Sequence, residues 1–145
     1  MATKFARGKF VMKFPEKYVG TKQPTYRSSW EFTFMNFCDT NKSILKWASE
    51  AVQIPYRDPL TNRQTVYVPD FFIQYVDKFG KVSTELIEIK PSSQQILERV
   101  GKNKYNQAQF VKNQAKWKAA NMWCAQQGLR FRVINENDIF QGTAR

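Results

Sequence analysis

Two extended segments joined by a short turn constrain the fold of this chain more than any other feature. Residues 66–76 and 81–90 are rich in β-branched and aromatic side chains, a composition typical of β-strands. They flank the four residues Asp77-Lys78-Phe79-Gly80. The sequence therefore predicts an antiparallel β-hairpin.

The length of the turn decides which residues face one another across this hairpin. If residues 78–80 form a three-residue loop with Gly80 in the left-handed conformation, Asp77 pairs with Lys81 and Asp70 lies opposite Glu88. A two-residue loop would shift the register by one residue and move Asp70 to the opposite face from Glu88. Whether the two carboxylates share a site therefore depends on the loop type.

A carboxylate pair and a lysine would meet on one face of the hairpin. Side chains alternate along a strand, so Glu88 and Lys90 project to the same side, where Asp70 joins them in the three-residue register. We expect Asp70 and Glu88 to bind Mg²⁺ or Mn²⁺, with the backbone carbonyl of Ile89 as a further ligand, because hard oxygen ligands suit these ions. Lys90 would position an attacking water or stabilise charge in the cleavage of a phosphodiester. The alternative is an ordinary cross-strand ion pair.

The composition excludes several other kinds of site. The chain contains no histidine, which rules out Ser-His-Asp and Cys-His catalysis and His-ligated zinc. Cys38 and Cys124 lie far apart and lack CxxC spacing, so we expect two buried thiols rather than a disulfide or a metal pair. No apolar run is long enough to span a bilayer. Acidic metal catalysis remains, with no small-molecule cofactor and no membrane partner expected.

The charge of the chain points to nucleic acid as its partner. The formal net charge is +11, and nearly all the positive excess lies outside residues 31–90. Such a distribution would let the basic segments before residue 31 and after residue 90 bind phosphates around a locally acidic site. We expect DNA contacts from Lys4, Arg7, Lys9, Lys13, Arg27, Lys104 and Lys112.

The N-terminal half offers two candidates for a third acidic residue. Residues 1–25 are predicted to form a basic extended arm, and residues 26–145 a single domain. A helix is expected to begin at Ser28, with Glu31 at capping-box spacing. Glu31 would either cap this helix or reach the metal as a third carboxylate. Glu50, expected just before a strand at residues 51–54, is the alternative acid or a solvated charge.

The C-terminal half predicts one long helix and a final strand. Residues 104–127 carry apolar side chains at helical spacing, and Gly128 is a natural helix stop. The expected apolar face consists of Ala108, Val111, Ala115, Ala119 and Met122. Shorter helices are predicted at residues 94–100 and 135–140, and a strand at residues 129–134. The predicted element order is α-β-β-β-α-β, an α/β (α+β) single domain in which helices flank a mixed sheet.

Taken in order, several segments resemble a known family. These are Tyr26-Arg27-Ser28-Ser29-Trp30-Glu31, Trp47-Ala48-Ser49-Glu50, Ile54-Pro55-Tyr56, Pro69-Asp70, Glu88-Ile89-Lys90-Pro91, Lys116-Trp117-Lys118-Ala119-Ala120 and Phe131-Arg132-Val133-Ile134. Together they resemble the head-completion nucleases of T-even-like tailed phages, which are similar to transposon-end endonucleases within the PD-(D/E)xK superfamily. The resemblance covers nearly the whole chain.

This resemblance implies a fold, an activity and a site. The fold would be restriction-endonuclease-like, and Asp70, Glu88 and Lys90 would be the catalytic core with Glu31 as the helix-borne acid. The activity would be Mg²⁺-dependent DNA cleavage that trims the packaged DNA before the tail joins. Partners would be DNA and phage head, portal or neck proteins, in the host cytoplasm or the virion head. The alternative is a structural head or neck protein that binds DNA with residual or no nuclease activity.

Overall fold

The computed structural model describes residues 7–92, 95, 101 and 103–138, and its centre is a four-stranded sheet. The described strands are β1 (Gly8–Lys9), β2 (Thr25–Tyr26), β3 (Ile44–Ser49), β4 (Ile54–Arg57), β5 (Gln64–Tyr67), β6 (Phe71–Val76), β7 (Val82–Ile89) and β8 (Arg130–Ile134). The described helices are α1 (Ser29–Thr40), α2 (Lys104–Gln127) and a 3-10 turn at Pro15–Lys17.

The central sheet is mixed, as the sequence predicts. Its strand order is β3-β6-β7-β8, with antiparallel pairing from β3 to β7 and parallel pairing between β7 and β8. The elements α1, β3, β6, β7, α2 and β8 reproduce the predicted order α-β-β-β-α-β. The hairpin of β4 and β5, inserted between β3 and β6, forms a separate two-stranded sheet that the sequence did not reveal.

The predicted hairpin register is confirmed. Phe71 pairs with Ile87, and the Asp77 N–H donates to the Lys81 carbonyl at 2.8 Å across a three-residue loop. Gly80 has φ +77, a backbone conformation that glycine adopts without steric cost. The turn therefore sets the alignment that brings Asp70 to the end of β7.

Two predicted strands had wrong boundaries. The run at residues 66–76 is broken, because β5 ends at Tyr67 and β6 begins only at Phe71; the buried Pro69 between them has no N–H for a strand ladder. The strand predicted at residues 51–54 lies earlier, as β3. Burial of Trp47 in the core stabilises β3, and Glu50, with φ 50, ends it.

The helices cover opposite faces of the sheet. Phe34, Met35 and Cys38 of α1 pack with inward residues such as Ile87, whereas Trp117 of α2 packs with residues from the other face. This second cluster consists of Ile54, Tyr56, Tyr67, Leu86, Trp117, Ala120, Cys124 and Phe131. Cys38 and Cys124 are buried free thiols, as predicted.

The bounds of the long helix are confirmed, but its predicted apolar face is only partly right: Ala115 and Ala119 pack against the second cluster. Gly128 has φ 75 and caps the helix in the left-handed conformation. The buried stripe is Asn113, Trp117, Ala120 and Cys124, whereas Val111 and Met122 of the predicted face are exposed. The large indole of Trp117 has far more surface to bury than the predicted alanines, so it determines which side packs on the sheet.

The described part of the N-terminal segment packs on the domain. Phe10 is buried, with its ring centroid 5.9 Å from that of Trp47, and Tyr18 lies 4.8 Å from the same indole. The boundary between residues 25 and 26 stays a prediction. The helix predicted at residues 94–100 lies almost entirely outside the described residues, whereas residues 136–138 of the last predicted helix are helical.

Among the helices that the structure describes, none has the length and apolar character needed to cross a membrane.

Candidate active site

Asp70 and Glu88 meet where β6 begins and β7 ends. The Asp70 Oδ2 atom accepts the Ile89 N–H at 2.8 Å, and the Asp70 carbonyl accepts the Glu50 N–H at 2.9 Å. Glu88 is buried two residues after Leu86 and two before Lys90, so it lies on the same face of the strand as Leu86, the face that α2 covers. The backbone thus holds both carboxylates at one end of the two central strands, β6 and β7.

The two carboxylates disfavour each other's charge. Burial, followed by the charge of Glu88, raises the pKa of Asp70 well above its usual range. Burial also raises the pKa of Glu88, although Lys90 and the Tyr67 hydroxyl oppose this. Adjacent carboxylates with raised pKa values are typical of functional sites. A bound cation would relieve the repulsion between Asp70 and Glu88.

The oxygen atoms at this end of β6 and β7 suit a hard divalent cation as ligands. Mg²⁺ is commonly held by one or two carboxylates while it keeps several waters, and Asp70 and Glu88 supply that number. The Ile89 N–H faces Asp70, so its carbonyl points to the same side, as in any extended strand. No group of three or more Cys, Asp or Glu side chains forms a complete metal cage within the described residues.

Lys90 completes the group that the sequence predicts. Its Nζ atom lies 3.5 Å from Glu88 Oε2, and its side chain is 27% exposed. The ammonium therefore has access to solvent and to a ligand beside the carboxylates. The structure brings Asp70, Glu88, Ile89 and Lys90 together, while their catalytic roles stay predictions.

Glu31 caps α1 and also lies near the site. Its N–H donates to the Ser28 Oγ atom at 3.1 Å, and its Oε1 atom accepts the Arg27 N–H at 2.6 Å. The charge of Glu31 contributes to the raised pKa of Asp70. Glu31 thus caps α1 while its charge also acts on Asp70, so capping does not exclude the predicted role at the metal.

Glu50 is already neutralised by two cations. Its carboxylate pairs with Lys22 and with Arg27, each at 2.9 Å, and the hydrogen bond from Arg27 is the main reason that the pKa of Glu50 is lowered. Glu50 follows β3 instead of preceding a strand, which corrects the predicted placement. A metal ion would therefore stabilise the charge of Glu50 less than it would stabilise that of Asp70.

Two residues outside the predicted catalytic set border the carboxylates. The buried Tyr67 donates its hydroxyl to Glu88 Oε1 at 2.7 Å. The Lys116 ammonium lies 5.6 Å from the centroid of the Tyr67 ring. Tyr67 reaches Glu88 from the end of β5, where the sequence predicts an unbroken strand. Lys116 is one of several lysines on the long helix that the sequence offers as a phosphate-contacting or an ordinary solvated surface.

The predicted DNA-contacting residues are spread over the surface. Arg7, Lys9, Lys13 and Lys104 are exposed, while Arg27 pairs with Glu50. Lys112 lies 3.5 Å from Asp58. Lys4 is outside the described residues, so only six of the seven predicted contacts have a described position.

Two comparisons with known proteins show the family of the chain. The family described as TnsA-like endonuclease N terminal matches residues 41–136, which include Asp70, Glu88 and Lys90 but not Glu31. The head completion nuclease of Enterobacteria phage T4 is 32% identical over 142 residues, covering 91% of this chain and 92% of that protein. The resemblance inferred from the sequence is thereby confirmed: the chain belongs to the TnsA-like endonuclease family and is a relative of the phage T4 head completion nuclease.

Proposed function

We propose that this protein is a DNA endonuclease that depends on Mg²⁺ or Mn²⁺ and acts in phage head completion. It would cut or trim DNA at the end of packaging, before the tail joins, in the host cytoplasm or in the virion head beside portal or neck proteins. The observation that carries the proposal is the pairing of the half-buried Asp70 with the buried Glu88, two carboxylates whose charges repel each other beside the Lys90 ammonium. The nuclease name of the phage T4 relative supports it.

Each residue of the candidate site has a separate proposed role. Asp70, Glu88 and the Ile89 carbonyl would hold the cation, which when bound would activate water and neutralise charge on the phosphoryl oxygens. Lys90 donates from its position near Glu88 Oε2 and stabilises the negative charge that develops on the phosphate. Tyr67 fixes the orientation of the Glu88 carboxylate through Oε1.

The proposal is tested by incubating the purified protein with supercoiled and linear DNA. We expect nicking or cutting with Mg²⁺ or Mn²⁺ and none with a chelator. A Glu88→Gln protein purified in the same way controls for contaminating host nucleases. Tight, salt-sensitive DNA binding without cutting under any metal condition would instead favour a structural DNA-binding protein of the head or neck.

Tyr67→Phe is expected to raise the metal concentration needed for cleavage. The substitution removes only the hydroxyl that orients Glu88, and loss of such a partner costs about 10- to 100-fold in metal affinity or activity. Cleavage rates are measured across a Mg²⁺ titration. Tyr56→Phe, in the same buried cluster, is the matched control, and an equal metal requirement for both variants would refute the role of Tyr67.

Glu31→Gln and Glu50→Gln separate the two candidate acids. We expect Glu31→Gln to lower metal-dependent cleavage about 10-fold or more, since its charge acts on Asp70. Glu50→Gln should stay within a few-fold of wild type and lose about 1 kcal/mol of stability or less, because it removes partly exposed ion pairs. Cleavage rates and thermal melts are measured for both. The opposite result, with cleavage lost only in Glu50→Gln, would reverse the assignment.

A further inference from the structure

Lys116 places a second ammonium at the candidate active site. It lies on α2, is half-buried, and sits over the face of the Tyr67 ring, 5.6 Å from its centroid. The hydroxyl of that same ring donates to Glu88 Oε1, whereas Lys90 lies beside Oε2. Positive charge therefore flanks Glu88 on both sides.

Lys112, on the same helix, has a direct ion pair, whereas Lys116 has none among the described residues. Lys112, one turn earlier, lies 3.5 Å from the Asp58 carboxylate. Lys116 forms no ion pair within 4.0 Å in the part of the chain that the structure describes. Glu88 attracts its charge at longer range, whereas Lys112 and Lys90 repel it. A half-buried ammonium without a direct ion pair gains when a ligand brings an anion into contact with it.

We propose that Lys116 binds a phosphate of the DNA strand at the cleavage site, on the Tyr67 side of Glu88 and opposite Lys90. The inference rests on the proposed function, and it adds a specific substrate contact from α2. A lysine is a compact point charge that suits a phosphate oxygen. The Tyr67 ring holds the ammonium near Glu88 without neutralising it.

The test measures how DNA affinity depends on salt. Binding of a short duplex DNA is followed in an Asp70→Asn background without added metal, from about 50 to about 200 mM salt. Lys116→Met keeps the apolar stem and removes the charge, and we expect it to reduce the slope of log K against log salt by about 1. Affinity at the lowest salt should fall about tenfold. Lys116→Arg should retain the slope.

Lys42→Ala is the charge-matched control. Lys42 is exposed in the turn before β3, near the end of the sheet where Ile44 pairs with Tyr75, whereas the candidate site lies at the Ser49–Phe71 end. We expect its salt slope to equal that of the parent. Thermal melts establish that each variant is folded.

A salt slope of Lys116→Met equal to that of Lys42→Ala would overturn the inference. A lower melting temperature of Lys116→Met with an unchanged salt slope would also overturn it, because Lys116 would then be a purely structural residue. Cleavage by wild type is measured separately. If wild type cuts DNA while the Lys116→Met slope is unchanged, the inference fails and the proposed nuclease stands. If wild type never cuts while the slope falls by about 1, the nuclease proposal fails and the phosphate contact stands.

Discussion

Asp70→Asn is expected to abolish metal-dependent DNA cleavage while making the metal-free protein more stable at neutral pH. The substitution removes a charged ligand but leaves an oxygen that accepts the Ile89 N–H, the bond that Asp70 makes at 2.8 Å. The negative charge of Asp70 is needed to bind the cation, but without the cation the same charge destabilises the folded protein. Activity and stability should therefore change in opposite directions.

The pH dependence of this stabilisation follows from the pKa of Asp70, which burial and the Glu88 charge raise in the folded protein. The folded state then binds the proton more tightly than the unfolded chain does. The resulting stability is full below the ordinary aspartate pKa of about 3.9 and is lost as the pH rises through the raised pKa of the folded protein. The asparagine variant avoids that loss, so its advantage is present at pH 7 and vanishes under acid conditions.

Thermal melts from acid to neutral pH, with chelator or with Mg²⁺, measure this effect. The expected rise in Tm at neutral pH is on the order of 4 °C for each kcal/mol recovered. Mg²⁺ should raise the Tm of wild type and not that of Asp70→Asn. Asp77→Asn removes the same charge at the turn joining the same two strands and should keep cleavage within a few-fold of wild type. Retained cleavage by Asp70→Asn, or an equal Tm gain in both variants, would contradict the assignment.

The parts of the site that the sequence predicts are those set by local geometry. Gly80 supplies the left-handed residue of the hairpin loop, and from that turn the register follows along both strands to Asp70 and Glu88. Strand alternation then places Lys90 beside Glu88 without knowledge of the rest of the fold. Local rules were sufficient because turn, register and motif all belong to one contiguous segment.

The parts that the sequence misses depend on packing between distant segments. Tyr67 meets Glu88 only because the chain leaves β5 before entering β6, and an unbroken strand was expected there. Lys116 reaches the site beside the buried Trp117, a residue outside the apolar face that the periodicity of α2 favours. Tertiary contacts override local pattern in both cases.

Lys90→Ala is expected to lower the rate of DNA cleavage about 100- to 1,000-fold, the usual effect of removing one preorganised charge from a transition state. Metal binding should survive, because Lys90 is a cation and its loss removes repulsion toward Mg²⁺ while Asp70 and Glu88 remain.

Single-turnover cleavage across a Mg²⁺ titration separates the maximal rate from the metal requirement of the Lys90→Ala protein. Lys81→Ala changes an exposed lysine beside the opposite end of β7 and is the control for charge loss alone. If the maximal rate of Lys90→Ala matched that of Lys81→Ala, Lys90 would be an ordinary ion-pair partner of Glu88. If excess Mg²⁺ restored the full rate, Lys90 would serve metal binding instead of the charge that develops on the phosphate.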